Sequence, residues 1–122
     1  MYSVGLGKIA KEFNLKNLTS EIDIDKIDIE TPGVNRPAIQ LAGFFDYFDS
    51  ERIQVIGLVE YSYLSKLTPE FRQETLEKLF KYDMPAVVIS TALTPHPEMM
   101  FYAKERKIPI LQTEETTSEF TA

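Results

Sequence analysis

Hydrophobic residues recur at helical spacing at the start of the chain, at Leu6, Ile9, Ala10 and Phe13, which predicts a short amphipathic helix ending near Asn14. The next stretch, SEIDIDKIDIE, alternates isoleucine with acidic residues, but its phase slips between Ile24 and Ile27, which predicts strand, break, strand. Gly33 and Pro37 punctuate TPGVNRPAIQLAG; Pro37 suits the first turn of a short helix running towards Gly43, with Asn35 near its cap. The segment RIQVIGLVE reads as a strand from Ile53 to Val59, in which Gly57 marks a bulge, an edge or a close backbone approach. Tyr61 to Lys66 reads as a short helical connection. Thr68-Pro69-Glu70 opens a helix with a capping hydroxyl, a proline and an acid, and Phe71, Thr75, Leu76, Leu79 and Phe80 form its buried stripe.

Beyond Pro85, Ala86 to Ile89 form an uninterrupted apolar run suited to a central strand. A helix from Glu98 to Glu105 turns Met99, Met100 and Ala103 inward, and Pro109, Ile110 and Leu111 supply another strand. Strand, helices, strand, helix, strand is the order of parallel βαβ units. The expected fold is therefore α/β: Val55, Val87 to Ile89 and Ile110 in a largely parallel sheet flanked by helices, with mixed polarity where the N-terminal strands join. The polar tail QTEETTSEFTA reads as a transition out of the domain.

The 122 residues match one domain, and 43% of them are hydrophobic, enough to form a core without metal or disulfide. The absence of cysteine excludes disulfide frameworks, zinc–thiolate sites and thiol nucleophiles. No apolar run near the N-terminus is long enough for a signal peptide or membrane span, so a cytoplasmic location without membrane partners is expected. A net charge of −6 opposes nucleic-acid binding. Lys104, Arg106 and Lys107 form the densest basic stretch, readable as a solvated helix end or as a patch for phosphate or a partner.

Most chemical constellations are missing. No glycine-rich stretch precedes Lys-Ser or Lys-Thr, and Gly5-Leu6-Gly7 follows no predicted strand and lacks the third glycine of a dinucleotide loop. Asp23, Asp25 and Asp28 lack the glycine and the final glutamate of a calcium loop, so they read as a solvated face and no metal site is expected. His96, the single histidine, sits between prolines as a capping or surface residue. Asp46 and Asp49 have no partner that spacing would fix. Two features stand out. Ser90 and Thr91 follow the best internal strand, where open α/β sheets place ligands. Phe44, Phe45, Tyr47 and Phe48 cannot share one face of a regular element, so some belong to the core and others to an interface, with Phe44, Tyr47 and Phe48 the interface candidates.

The run Asn35-Arg36-Pro37-Ala38-Ile39-Gln40-Leu41-Ala42-Gly43-Phe44-Phe45-Asp46-Tyr47-Phe48, with Arg52-Ile53-Gln54-Val55-Ile56-Gly57, Tyr63-Leu64, Asp83-Met84-Pro85-Ala86, Pro109-Ile110-Leu111 and Thr117-Ser118-Glu119-Phe120, strongly resembles the N-terminal domain of bacterial HPr kinase/phosphorylase. The resemblance is collinear over essentially the whole chain. It implies a fold similar to the N-terminal domains of Mur ligases, and a parent enzyme that phosphorylates a serine of HPr with ATP or pyrophosphate and removes that phosphate by phosphorolysis, in carbon catabolite repression. It places the phosphate loop, the magnesium-binding groups and HPr recognition in a C-terminal kinase domain, and implies a hexamer. The chain reaches Thr121-Ala122 about where the family's linker begins, so residues 1–122 are expected to be a single non-catalytic regulatory or assembly domain with no catalytic residue or cofactor of its own. The alternative is a module for a phosphorylated metabolite or uridine nucleotide, with Arg36, Ser90 and Thr91 as candidate contacts. A self-standing enzyme is the third class weighed, and it has no constellation to organise it.

Overall fold

The computed structural model describes residues 2–121. In chain order its elements are β1 (Val4–Gly5), α1 (Leu6–Glu12), β2 (Lys16–Asn17), a 3-10 turn at Ile24–Lys26, β3 (Asp28–Ile29), β4 (Val34–Asn35), α2 (Ala38–Leu41), β5 (Ile53–Ile56), α3 (Leu58–Lys66), α4 (Pro69–Leu79), β6 (Val87–Ile89), α5 (Pro97–Arg106), β7 (Ile110–Gln112) and α6 (Thr117–Thr121). The main sheet has five strands in the order β2-β7-β6-β5-β4. Strands β4 to β7 are mutually parallel, and β2 joins β7 antiparallel, giving the mixed, largely parallel sheet that the segment order predicts. β1 and β3 pair separately as a two-stranded antiparallel ribbon.

Side chains alternate across this sheet. Ile56, Val87, Ile89 and Ile110 meet Leu41, Leu64, Leu76, Leu79 and Met99, so α2, α3, α4 and α5 all cover one face. Ile53, Val55, Val88 and Leu111 meet Leu6, Ala10 and Ile29, so α1 and the small ribbon cover the other. Both faces of the central strand β6 are therefore covered, which accounts for its continuous apolar sequence.

The acidic isoleucine stretch departs from its pattern. Ile22 and Ile24 belong to a turn and a 3-10 turn, not a strand, and only Asp28–Ile29 pairs. Asp23 accepts the Asp25 amide at 3.0 Å, a local side-chain bond that competes with strand formation. β5 ends at Ile56 rather than Val59: its partner β6 offers pairing only for Gln54, Val55 and Ile56, and α3 starts immediately beyond Gly57. Val59 is consequently exposed on a helix.

Asn35 does not cap α2; it lies in β4 and donates to Gln54 Oε1 at 2.7 Å, while Pro37 takes the cap position. Thr68 does cap α4, accepting the Phe71 amide at 3.2 Å, but the ring of Phe71 is 54% exposed, so the buried stripe begins at Thr75. The polar tail is structured as far as it is described: Thr116 and Glu119 cap α6 reciprocally, with amide-to-side-chain distances of 2.9 and 3.2 Å. Phe120 then packs edge-on against Phe13 and joins the second core. Ala122, the last residue of that tail, lies outside the described residues.

Candidate functional site at the carboxyl edge of the sheet

The loops after β4, β5 and β6 bring Arg36, Gly57 and Ser90 to one edge. Arg36 donates from Nε and Nη2 to the two carboxylate oxygens of Glu60, at 2.9 and 2.7 Å. Glu60 is 2% exposed and stands three residues into α3, where its Oε1 also accepts the Gly57 amide at 2.9 Å. A carboxylate at this position satisfies an otherwise unpaired N–H and faces the positive end of the helix dipole. The bidentate fork gives the pair fixed geometry. A β-carbon built on Gly57 would lie 2.8 Å from Arg36 Nη2 and closer still to Thr117 Oγ1. Of the roles open to Gly57, close backbone approach is the one it fills, since its φ of −100° is accessible to any residue.

Ser90 is fully buried, and its hydroxyl lies 2.7 Å from Thr117 Oγ1. Thr91 is exposed and has φ 59°, followed by Ala92 with φ 51°. Their amides donate to Glu115 O and Thr113 O at 2.7 and 2.8 Å. Arg36 and Ser90 thus reach the same edge through Gly57 and Thr117, with Thr91 beside them, but each engages protein groups. Two features explain the closure. β4, β5, β6 and β7 follow one another without reversal and their helices share one face, so no loops diverge to open a switch-point crevice. The segment from Gln112 to Thr117 also lies across the mouth.

Three residues of this arrangement escape a reading by type and period. Glu60 hides at the end of an apolar run, although Gly57 and Glu60 have the spacing of a helix cap and its third residue. Gln54 is a buried polar residue amid β-formers; its amide donates to Asp49 O and Arg52 O, both at 3.0 Å, and so ties the aromatic loop to the sheet. Thr117 belongs to a tail whose Thr116-Ser118-Glu119 chemistry already spells a helix start.

The aromatic run divides. Tyr47 is 98% exposed and Phe44 54%, whereas Phe45 and Phe48 pack on the helical core. Phe48 lies edge-on to Phe45 and Tyr82, with centroids 6.0 and 5.1 Å away, so it is a packing residue and not a surface candidate. Gly43, with φ 107°, turns the chain into this run.

His96 takes the N-cap position of α5, without a side-chain cap bond, and its ring lies inside rather than on the surface. It stacks on Tyr61 with centroids 4.3 Å apart, and Nε2 lies 2.9 Å from Ser65 Oγ. Ser65 gives its own proton to Tyr61 O at 2.9 Å, so its oxygen receives Nε2–H and Nδ1 carries the lone pair, buried without a partner. This is the reverse of a nucleophile–base dyad. Burial, reinforced by the Arg72 guanidinium and opposed by Glu98, lowers the His96 pKa from 6.5. The hydrogen bond from Arg72 lowers that of Glu98 from 4.5. The unfolded chain therefore takes up a proton near pH 6.5 that the folded chain refuses, and stability falls as pH drops below that value; the Glu98 contribution, present above 4.5, is lost on further acidification. The single imidazole signal in an NMR titration should have its midpoint below 6.5, and thermal stability should decline from pH 7 towards pH 5. A midpoint at or above 6.5 would contradict the burial of this ring beside Arg72.

Elsewhere the candidate chemistry stays separate. Among the described residues no three carboxylate or histidine groups form a metal cluster. Asp46 is exposed, and Asp49 acts through its main-chain carbonyl. Arg106 is tied to Phe80 O and to Asp83, the latter at 2.7 Å, and the exposed Lys104 pairs with Glu21 at 3.9 Å. Among the described residues no helix is long and apolar enough to cross a membrane.

Fold and edge together define a small α/β domain whose sheet is closed by its own C-terminal segment. The family model described as HPr serine kinase N terminus matches residues 4–122, and the chain belongs to that family. It is 46% identical over 122 residues to HPr kinase/phosphorylase of Lachnoclostridium phytofermentans, covering all of this chain and 40% of that protein. It is 41% identical over 120 residues to the Caldicellulosiruptor bescii enzyme, covering 98% of this chain and 39% of that protein. The chain thus spans about 40% of the length of these curated relatives. Its fold is similar to a solved structure of the CBS and DRTGG domains of the regulatory region of Clostridium perfringens pyrophosphatase, complexed with the activator diadenosine tetraphosphate. That likeness has a TM-score of 0.62 and 15% identity, covering 94% of this chain and 43% of the other.

Proposed function

We propose that the chain is a non-catalytic regulatory and assembly domain of an HPr serine kinase/phosphorylase acting in carbon catabolite regulation. In this reading the kinase domain holds magnesium and ATP or pyrophosphate and meets HPr, and the enzyme works as a cytoplasmic hexamer. The observation that carries the assembly role is the exposed apolar surface. Phe44, Ile39, Val59 and Phe71 are each more than half exposed and sit on or beside α2, α3 and α4. Large apolar side chains left exposed on the helices that cover one face of the sheet are candidates for a contact surface.

The full-length enzyme and this chain should be assayed side by side for magnesium-dependent transfer of phosphate to HPr. Transfer is expected from the full-length enzyme only, and transfer by the chain alone would overturn the non-catalytic reading. Phe44→Ser with Tyr47→Ser should leave thermal stability within about 0.5 kcal/mol, as surface changes do. In the full-length enzyme the same pair should lower the assembled mass measured by light scattering; an unchanged mass sinks the assembly role of these rings.

The ligand-module reading has one supporting observation, the 40% exposure of the Arg36 side chain. Against it stand the groups around that guanidinium, which are already paired within the protein.

A further inference from the structure

The segment from Gln112 to Thr117 does more than cover an edge. It is zipped to the turn after β6 by a series of hydrogen bonds. Gln112 Nε2 donates to Leu93 O at 2.9 Å, Thr113 N to Ile89 O at 2.9 Å, Ala92 N to Thr113 O at 2.8 Å and Thr91 N to Glu115 O at 2.7 Å, and Thr117 Oγ1 closes on Ser90 Oγ at 2.7 Å. The turn it grips is closed by Leu93 N donating to Ser90 O at 3.3 Å. Its two central residues, Thr91 and Ala92, both have positive φ, 59° and 51°. That is the geometry of a type I′ turn, which asparagine and glycine normally fill. A β-branched threonine and an alanine there are held in an unfavourable conformation.

Two opposed tendencies therefore meet at one contact. The zipper holds the turn in its strained shape, and the turn's relaxation would withdraw two amide donors from the zipper. α6 follows directly, capped by its own Thr116 and Glu119 and docked through Thr117 and Phe120, one helical turn apart. A terminal helix that is capped by its own residues can open as a unit without melting the sheet.

We propose that residues 112–121 form a latch, seated on the strained 90–93 turn as its catch, and that seated and released states of this latch couple the carboxyl edge of the sheet to whatever is joined beyond α6. The matched region is the N-terminal part of longer relatives, so a latch at this point would set how the following chain leaves the domain. This rests on the reading of the chain as a regulatory domain, but its test does not involve phosphate transfer, so failure of one leaves the other standing.

The test is native-state hydrogen exchange on the chain itself. Thr117→Val keeps the side-chain shape and removes the hydroxyl that meets Ser90. It should speed exchange in residues 115–121 about tenfold while the amides of β6 change less than about twofold, as expected of a local opening. Ala92→Gly relieves the positive φ without removing any side-chain hydrogen bond. It should favour the seated state and slow exchange in residues 115–121 about fivefold. Two results overturn the latch. One is equal acceleration of β6 and α6 in Thr117→Val, which would make the segment part of one cooperative unit with the sheet. The other is unchanged or faster α6 exchange in Ala92→Gly, which would mean that the turn does not oppose seating.

Discussion

Replacing Phe80 with alanine should cost the domain about 3–5 kcal/mol, the range for emptying a fully packed aromatic site. Phe80 is 1% exposed and lies against the helical face of the sheet among Leu76, Leu79 and Met84. Its main chain, which accepts a hydrogen bond from Arg106, is untouched by the change, so the loss reports packing alone. Small domains are stable by only about 5–15 kcal/mol, so the variant should lose a large share of its margin and unfold at clearly lower denaturant. Phe71→Ala is the matched control: that ring is 54% exposed, and its loss should cost well under about 1 kcal/mol. Similar losses for the two, measured by urea unfolding with unchanged slope, would show that the core does not lie where the structure places it.

The second large effect is expected at Arg36. Truncation to alanine leaves the Glu60 carboxylate, 2% exposed, with the Gly57 amide as its remaining hydrogen-bond donor among those described. Removing one member of a fully buried pair costs about 3–5 kcal/mol; Arg36 is 40% exposed, which lets water reach the site, so about 2–3 kcal/mol is expected. The reciprocal change, Glu60→Gln, removes the charge but keeps a carbonyl oxygen for the Gly57 amide. Adding it to Arg36→Ala should recover part of the loss, because the double variant no longer buries an unpaired charge. Additive losses in this cycle, read from urea midpoints, would mean that the fork does not act as a pair. The cycle bears on the latch as well, since Arg36 and Thr117 both crowd Gly57.

Much of the architecture follows from local pattern. Helix α4 begins where a hydroxyl and a proline stand together, at Thr68-Pro69. The apolar run through Val87, Val88 and Ile89 needs both faces covered, and the alternating order of strands and helices supplies the cover. The absence of a phosphate loop and of cysteine is a property of composition that no folding alters.

The errors share a physical origin. Phe71 and Phe80 occupy the same predicted stripe, yet only one finds a neighbour to bury it. Val59 has strand propensity, but β6 is too short to pair with it, so the chain turns at Gly57 and enters a helix. His96, between two prolines, is drawn inside because Tyr61 and Ser65 arrive from another helix to receive it. Phe48, an interface candidate by sequence, gains burial from Tyr82, more than thirty residues away.

By itself the sequence determined the class of fold, the parallel run of central strands, the family and the lack of a phosphate-loop motif, because these depend on period, composition and contiguous motif. Tertiary structure alone decided what stands at the carboxyl edge. Arg36, the Gly57–Glu60 helix start, Ser90 and Thr117 lie far apart in the chain and are joined by side-chain geometry that no local pattern encodes. Whether that edge is open or closed depends on strand order and on where the last segment lies, and here an unreversed order and a seated C-terminal helix close it.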